Sequence, residues 1–353
     1  MEPLLSLDIK IKRNCMQKIC VIQTAFIGDV VLSTALLESI HLKYPDAKLD
    51  MVVRKGNEAL FANHPFINEL IIWNKQKNKY KHWWGVLQFI RRQRYDAVIN
   101  VQRFAATGLW TAFSRAKMKI GFDKNPVSFL FTHVVKHQER QVGLHEIHKN
   151  HALIEVLDAH MPLCKPRLYP SATDFEKVAS LQSEPYICIA PASVWYTKQF
   201  PVAQWIHFLN GLDFAGKVYI IGGPGDKNLG EQIIQAMNEQ AKISKRVFNL
   251  AGQLSFLSSA ALQQKAVLNY VNDSAPMHFS SALNAPVVAI YCSTIPDFGF
   301  GPLSDQSFIV QTQKALSCKP CGLHGKKACL LGHFDCALSI QMQQLYAPLS
   351  QMV

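Results

Sequence analysis

The chain has 353 residues, of which 49% are hydrophobic, and its 37 lysines and arginines outnumber its 25 aspartates and glutamates, giving a net charge of +12. This length suits about two domains of ordinary size. No apolar run approaches the ~18 residues that cross a bilayer, and the first residues lack the apolar centre of a signal peptide, so we expect a cytoplasmic protein. The positive charge favours an anionic partner, for which nucleic acid, a phosphate-rich substrate and an anionic membrane surface are the candidate classes.

Short apolar runs alternate with helix-patterned segments along the first half of the chain. The runs predict strands near residues 18–24, 49–53, 69–73, 97–101 and 119–122, and the other segments predict helices near residues 29–43, 57–63, 84–94, 107–116 and 145–160. Such alternation is typical of a parallel sheet covered by helices on both faces, so this half predicts an α/β domain of the Rossmann type.

The second half repeats the alternation after a proline-containing stretch at residues 161–185, which we interpret as a linker and lead-in. Strands are predicted near residues 186–191, 217–222, 247–250, 266–271 and 287–292, and a terminal helix over residues 338–352. We therefore predict two Rossmann-like domains, residues 1–165 and 166–353, that face each other across a cleft. Ligands of open α/β sheets bind beyond the carboxyl ends of the strands, which both domains could turn toward that cleft.

The loop after the first predicted strand reads TAFIGDV and places Gly28 and Asp29 at the start of a helix. A carboxylate at this point occupies the place where a phosphate would otherwise bind. Asp29 has two interpretations. It can stabilise the helix through the helix dipole, by roughly 0.3–1 kcal/mol, or it can act as a general base that takes a proton from an attacking hydroxyl.

Three loops that follow strands of the second half carry residues suited to a nucleotide diphosphate. The loop NDSAPMH opens a helix with free N–H groups, and its Asp273 can accept hydrogen bonds from sugar hydroxyls. Lys198 in the loop ASVWYTKQFP can add a cation. The third loop is IGGPGD, which contains Gly222 and Asp226. The alternatives are that Asp273 or Ser274 merely caps the helix and that Lys198 is a solvated surface lysine. The candidate ligand-binding residues of these loops are Ser193, Gly222, Gly223, Asp226, Asp273, Ser274, Ala275 and His278, with Lys198 as a cation that could also act in catalysis.

Residues 74–95, NKQKNKYKHWWGVLQFIRRQRY, combine basic and aromatic side chains without an acid before Asp96. This composition suits a phosphorylated lipid head group at a membrane interface or a single-stranded nucleic acid, and the alternative is a solvated loop followed by a basic helix face. We favour the lipid interpretation. The candidate residues for binding this partner are Gly28, Lys79, Lys81, Arg91 and Arg92, with Arg103 and Lys12 as weaker ones.

Four cysteines lie close together near the carboxyl end, in CKPCGLHGKKACLLGHFDC. Cys318, Cys321, Cys329 and Cys336 could hold a structural zinc ion through four thiolates, although the spacing of the second pair departs from the usual C-x₂-C. The other interpretations are a disulfide, which a reducing compartment disfavours, and free thiols.

Taken together, these loops resemble those of the ADP-heptose:lipopolysaccharide heptosyltransferases, glycosyltransferase family 9. The resemblance runs from about Lys18 to Asp305 and rests on the stretches IQTAFIGDVVLSTALLESIHLKYPDAKLDMVV, YDAVINVQ, IAPASVWYTKQFP, IIGGPGD and NDSAPMHFSSALNAPVVAIYCSTIP. It implies a GT-B fold, in which the first domain binds the acceptor and the second binds the ADP-sugar. It also implies that Asp29 is the general base, that Lys198 and Ser193 lie near the donor diphosphate, and that Asp273, Ser274 and His278 belong to the donor site.

The function that this resemblance implies is an inverting, metal-independent transfer of heptose from ADP-heptose to the lipopolysaccharide inner core, either to Kdo-lipid A or to the first heptose. No cofactor is expected for catalysis, and the expected partners are the ADP-sugar, a phosphorylated glycolipid and, peripherally, the anionic inner membrane, without nucleic acid. The alternatives are transfer of another nucleotide sugar and a non-catalytic nucleotide-sugar binder. A dehydrogenase is excluded because no G-x-G-x-x-G follows the first strand of either domain.

Overall fold

Two parallel six-stranded sheets, each flanked by helices, are formed by the residues that this computed structural model describes, 16–138 and 143–352. This arrangement confirms the predicted α/β class with two Rossmann-like domains. The domain limits at residues 165 and 166 stay a prediction.

The first sheet has the spatial order β3-β2-β1-β4-β5-β6, and every pairing between neighbouring strands is parallel. In this order the chain direction across the sheet reverses between β1 and β4, which is where ligands of such folds bind. The strands are β1 (Lys18–Ile22), β2 (Lys48–Arg54), β3 (Ile67–Trp73), β4 (Ala97–Asn100), β5 (Met118–Phe122) and β6 (His133–Val135).

The second sheet repeats the same order as β9-β8-β7-β10-β11-β12, again with parallel pairings. Its reversal point lies between β7 and β10. The strands are β7 (Tyr186–Ala190), β8 (Lys217–Ile220), β9 (Val247–Asn249), β10 (Leu268–Asn272), β11 (Val287–Tyr291) and β12 (Ser307–Gln311).

Helices connect the strands and cover the sheets. They are α1 (Ile27–Lys43), α2 (Lys79–Gln93), α3 (Ala105–Ala112), α4 (Glu146–Glu155), α5 (Ala172–Ala179), α6 (Val202–Asn210), α7 (Lys227–Gln235), α8 (Phe256–Gln264), α9 (Ala275–Ala282), α10 (Asp335–Leu338) and α11 (Gln343–Ser350).

The central strands are buried along their whole length, as strands covered by helices on both faces must be. All five residues of β7, β10 and β11 are buried, and so are the last four residues of β1. Their loops therefore start from fixed points, which holds the side chains at the carboxyl ends in place.

The two halves share one apolar cluster. Val30 and Leu37 of α1 belong to the same buried cluster as Leu257 of α8 and Phe279 of α9. The cleft between the sheets is consequently closed on one side by packed side chains, and the loops after β1 and β10 lie close to this seam.

Some elements differ from the sequence prediction. Strands β6 and β12 were not predicted, because each lies at a sheet edge and is only partly buried, which weakens its apolar pattern. Helix α5 lies inside the stretch interpreted as a linker. Its Ser171 and Asp174 form a capping box, with the Asp174 N–H donating to Ser171 Oγ over 3.2 Å, a start signal that the neighbouring prolines obscured.

The terminal helix predicted over residues 338–352 is shorter in the structure, where α11 covers Gln343–Ser350 and α10 ends at Leu338. The segment predicted as a helix at residues 57–63 is a short 3₁₀ turn, Glu58–Phe61. Across residues 16–138 and 143–352, we find no helix with both the length and the apolar character that crossing a bilayer requires.

Candidate active site

Lys198 and Asp273 form an ion pair at the reversal point of the second sheet. Lys198 ends a 3₁₀ turn after β7, Asp273 directly follows β10, and their Nζ and Oδ2 atoms lie 2.7 Å apart. The side chains are only 14% and 7% exposed. Thr294 Oγ1 donates to the same carboxylate oxygen over 2.7 Å. Asp273 is thus held in one orientation, and the ammonium group keeps further donors for an anionic ligand.

A buried amide fixes the two loops that carry this pair. The side chain of Asn272 accepts a hydrogen bond from the Phe200 N–H over 2.9 Å and donates to the Pro191 carbonyl over 2.8 Å. Because Pro191 and Phe200 bracket the loop that contains Lys198, this amide sets the loop's position relative to Asp273.

The start of α9 lies beside the pair. Ser274 is the residue before the first helical turn, but its hydroxyl makes no capping hydrogen bond and instead donates to the Asn272 carbonyl over 3.3 Å. The capping role that was the alternative for Ser274 is therefore not realised. Ala275 opens the helix, Pro276 has no N–H, and the Met277 N–H donates to the Ser274 carbonyl over 3.1 Å. The Ala275 N–H is therefore the donor of the first turn that is left for a ligand.

Asp29 occupies the third position of α1, at the reversal point of the first sheet. Its partly buried carboxylate accepts hydrogen bonds from the N–H of Phe26 and from its own N–H. Burial raises the pKa of the Asp29 carboxyl above its ordinary value, opposed by the nearby His324 and Lys198. The carboxylate thus closes the first turn of its helix and, at the same time, faces charged groups of the other half. The two interpretations of Asp29 are compatible.

Gly28 and His278 meet where the halves touch. A Cβ atom on residue 28 would lie 2.8 Å from His278 Cδ2, so only glycine allows this approach. His278 is buried, its Nδ1 has no hydrogen-bond partner, and burial lowers the pKa of the imidazole to about 4. In the structure Gly28 therefore has a packing role at the seam, next to a neutral histidine.

Two cations at the carboxyl edge of the first sheet, Arg54 and Lys75, were not predicted as site residues. Arg54 ends β2, its guanidinium lies 4.8 Å from the centre of the Phe26 ring, and the charge of Asp29 acts on it. Lys75 Nζ donates to the Thr24 carbonyl over 3.3 Å. Arg54 could have been found by a simple rule, because it is a charged residue at the carboxyl end of a buried strand.

The predicted basic residues of α2 divide between its two ends. Lys79 opens the helix at the carboxyl edge of the sheet and acts electrostatically on the neighbouring Lys75, and Lys81 is exposed in the same turn. Arg91 and Arg92 lie in the last turn, where Arg91 Nη1 donates to the Phe113 carbonyl over 3.1 Å. Since α2 runs back toward the amino ends of the strands, the structure does not bring Arg91 and Arg92 to the site.

Arg103 follows β4 and so lies at the same reversal point as Asp29. Its guanidinium is 5.6 Å from the centre of the Phe104 ring, and its charge acts on His324. Lys12 lies outside the described residues.

The glycine loop after β8 is closed by its own acid. The Gly223 N–H donates to Asp226 Oδ2 over 2.7 Å, and a Cβ on Gly222 would lie 2.8 Å from the same oxygen. Asp226 therefore shapes this turn. Ser193 is partly buried, and its carbonyl accepts a hydrogen bond from Gln199 Nε2 over 2.7 Å.

Polar side chains at the start of α4 also join the two halves, and this contact was not predicted. Lys149 Nζ donates to the Phe298 carbonyl over 3.2 Å and lies 3.6 Å from Glu146 Oε2, while His145 Nε2 lies 3.0 Å from the Gly301 carbonyl. Burial raises the pKa of Glu146, and the charge of Asp29 raises it further. This contact therefore borders the site.

The cysteine-rich segment, residues 318–336, packs against the loop of Lys198. The Cys321 N–H donates to the Ser293 carbonyl over 2.9 Å, and the Lys326 N–H donates to Thr197 Oγ1 over 2.8 Å. The thiols of Cys318, Cys321, Cys329 and Cys336 are free. Within the part of the chain that the structure describes, no three His, Cys, Asp or Glu side chains are placed to hold a metal ion, so this arrangement gives the zinc interpretation no support.

Comparison with known proteins agrees with this geometry. Residues 83–330 match the family model described as glycosyltransferase family 9 (heptosyltransferase). The chain is 25% identical over 286 residues to lipopolysaccharide heptosyltransferase 3 of Escherichia coli, covering 76% of this chain and 82% of that protein. It is 24% identical over 319 residues to lipopolysaccharide heptosyltransferase 2 of E. coli K12, covering 83% and 88%.

A solved structure has the same fold. The structure of E. coli ADP-heptose lipopolysaccharide heptosyltransferase II superimposes with a TM-score of 0.74 at 21% identity, over 95% of this chain and 99% of that one.

Proposed function

The chain belongs to glycosyltransferase family 9, the heptosyltransferases, and from this premise we propose that it transfers heptose from ADP-heptose to the inner core of lipopolysaccharide. The names of the similar E. coli proteins support this donor and this class of acceptor. Within the inner core, Kdo-lipid A and the first heptose are the two candidate acceptors.

The observation that carries the proposal is the placement of Asp29 and of the Lys198–Asp273 pair at the reversal points of the two sheets. The acid lies at the reversal point of the first sheet and the ion pair at that of the second, and the charge of Lys198 acts on Asp29. A transferase needs a base on the acceptor side and a cation on the leaving-group side of one reacting bond. These three side chains supply both.

We propose a single inverting displacement. Asp29 takes the proton of an acceptor hydroxyl, the hydroxyl oxygen forms a bond to the anomeric carbon from the face opposite the diphosphate, and the bond from that carbon to the diphosphate oxygen breaks with its electron pair leaving on ADP. One attack from the opposite face inverts the anomeric configuration. Asp273 would hold the donor sugar, and its bond from Thr294 supports a fixed orientation.

Negative charge grows on the departing diphosphate. Lys198 Nζ and the N–H of Ala275 at the start of α9 lie at the carboxyl edge of the second sheet, where they can stabilise this charge. Donors aimed at developing charge stabilise the transition state more than the ground state.

We further propose that this chemistry requires no metal ion, because Lys198 and the Ala275 N–H can stabilise the charge of the diphosphate. With EDTA present the transfer rate is expected to stay unchanged, and added Mg²⁺ should not raise it. A rate that falls with EDTA and returns with a divalent cation contradicts this part of the proposal.

We propose a cytoplasmic protein that meets the anionic surface of the inner membrane peripherally. The support is the exposed start of α2, where Lys79 and Lys81 lie beside Tyr80 and Trp84, which are 83% and 56% exposed. Sedimentation with vesicles tests it. Binding to phosphatidylglycerol vesicles should exceed binding to phosphatidylcholine vesicles and should weaken in Lys79→Glu/Lys81→Glu, whereas equal binding to both contradicts it.

Calorimetric titration tests the function as a whole. ADP, ADP-heptose and UDP-glucose are titrated into the wild type and into Asp29→Ala, and transfer to a deacylated core acceptor is measured for both. We expect ADP-heptose to bind best, and the variant to bind it but not to transfer it. Stronger binding of UDP-glucose contradicts the donor assignment, and normal transfer by the variant contradicts the role of Asp29.

A further inference from the structure

Hydrogen bonds on both sides of one short turn connect the cysteine-rich segment to the loop of Lys198 and to Ser293, which follows β11. The Cys321 N–H donates a hydrogen bond to the Ser293 carbonyl. Lys326 makes two hydrogen bonds with Thr197, one from its N–H to Thr197 Oγ1 over 2.8 Å and one from the Thr197 N–H to its carbonyl over 3.1 Å. The Ser293 and Thr197 hydroxyls also bond each other over 2.9 Å and are buried. Residues 322–325 are therefore a turn with both ends anchored.

This turn passes directly against Lys198. Gly325 has φ +75°, and a Cβ there would lie 3.1 Å from both Lys198 Cγ and Thr197 Oγ1. The backbone of the segment thus lines the side chain of the lysine, and the residue that precedes this contact is His324.

The imidazole of His324 lies within electrostatic range of charged groups of both halves. These groups are Lys198, Asp29, Arg103 and Asp273, and the electrostatic interaction between His324 and Asp29 is mutual. His324 is exposed, so its ring is open to a ligand in the cleft. Burial and the neighbouring cations lower its pKa, so the ring is neutral at pH 7 and can both donate and accept a hydrogen bond.

We propose that His324 binds the acceptor, through a hydrogen bond between its imidazole and a hydroxyl of the acceptor sugar beside Asp29. The inference rests on the proposed function. The donor side already has Lys198 and the start of α9 for the diphosphate and Asp273 for the sugar. His324, next to the Gly325 contact with Lys198, also interacts electrostatically with Asp29 and Arg103 of the first half. The cysteine-rich segment is thus a wall of the active site, and His324 orients the sugar whose hydroxyl Asp29 deprotonates.

Steady-state kinetics of His324→Ala with ADP-heptose and a deacylated core acceptor test this assignment. Losing one hydrogen bond to a substrate predicts about a tenfold lower kcat/KM for the acceptor, while the KM for ADP-heptose and the calorimetric Kd for ADP stay unchanged. His324→Gln, whose amide can also donate and accept, should recover part of the loss. His207→Ala, on the exposed surface of α6, is the matched control and should behave as the wild type.

An unchanged acceptor kcat/KM in His324→Ala, with transfer by the wild type intact, overturns the role of His324 alone. If His324→Ala weakens ADP binding as much as it lowers the acceptor kcat/KM, the assignment is also overturned, since the variant then disturbs the donor loop. A wild type that binds no ADP-heptose, or that transfers nothing to the core, overturns the proposed function together with this inference.

Discussion

Lys198 differs from the other lysines near the cleft because its partner Asp273 is itself a candidate ligand of the donor. Nearly buried, the pair keeps its geometry without depending on the surrounding salt. Thr294 would still bond Asp273 if the lysine were removed, so the carboxylate would not be left entirely unsatisfied.

Lys198→Ala is expected to lower kcat by roughly 10²–10³-fold, because one donor to the developing charge is lost, and to weaken ADP binding. Steady-state kinetics and calorimetry measure both. Lys227→Ala removes an exposed lysine of α7, 63% exposed and paired with Glu231, and should change neither. A kcat close to the wild type in Lys198→Ala would remove the lysine from the mechanism.

The pH dependence of transfer should follow Asp29. Only the carboxylate can accept the proton of the acceptor, so kcat/KM must fall as the pH drops through the pKa of Asp29. Since burial raises that pKa, the acid limb should lie above the value of about 4 that is ordinary for aspartate. A pH–rate profile from pH 4 to 8 measures it, and a flat profile across the range would argue against Asp29 as the base.

The sequence predicted those site residues that lie in a short loop directly after a recognisable strand. Asp29, Lys198 and Asp273 each follow a strand that can be read from its apolar run, so their common edge was foreseeable. Lys149 and His324 were not, because they reach the site from a helix start and from the cysteine-rich segment, which no local pattern relates to the cleft. The acidic turn at Asp226 was assigned to the donor, whereas its carboxylate bonds the Gly223 N–H.

At the scale of elements, α1 and α9 meet through Gly28 and His278. The imidazole is buried, so it cannot swing into solvent to make room for a larger side chain at residue 28. The contact ties together the starts of the helices that carry Asp29 and the donor loop.

Gly28→Ala is expected to lower the free energy of unfolding by about 1–3 kcal/mol, because the added methyl group overpacks the contact with His278. Urea unfolding measures the change. Gly85→Ala in α2, where a Cβ would meet nothing within 4 Å, is the control and should stabilise the protein by roughly 0.5–1 kcal/mol. Combining Gly28→Ala with His278→Ala should return part of the loss, and an equal effect of the two glycine substitutions would show that the contact is not tight.

The two parallel sheets covered by helices were predictable from the alternation of elements, but the edge strands were not. Strand β6 has three residues, none of them buried, and β12 has only Val310 buried. An apolar pattern is produced by burial, so edge strands give little of it. Helix α5 was hidden for a different reason, since the prolines around it indicate a linker while its capping box, Ser171 with Asp174, indicates a helix.

At the scale of the whole molecule, several partly or fully buried histidines have a lowered pKa. Burial lowers the pKa of His64, His137, His145 and His278 to about 4 each. A histidine whose pKa is lower in the folded than in the unfolded chain binds fewer protons when folded. Stability is therefore retained above the unfolded pKa of about 6.5 and is lost as the pH falls toward 4.

The free energy of unfolding should accordingly decrease as the pH falls from 6.5 to 4, with His278, fully enclosed, contributing on the order of 3 kcal/mol at the acid end. Urea unfolding at several pH values measures this. His278→Gln cannot take up the proton and should lose less stability over the same interval, even if it is less stable at pH 7. Parallel curves for the two proteins would exclude His278 as a source of the loss.

The shared apolar cluster of α1, α8 and α9 has a mechanical consequence. Because the halves are joined by packed side chains at this seam, we expect any relative motion of the halves to be a rotation about it. Asp29 and His278 lie close to the seam and would move little, while the exposed rims of the two sheets would move farther. Under the proposed function, a bulky acceptor would then enter at the rim while the reacting groups keep their spacing.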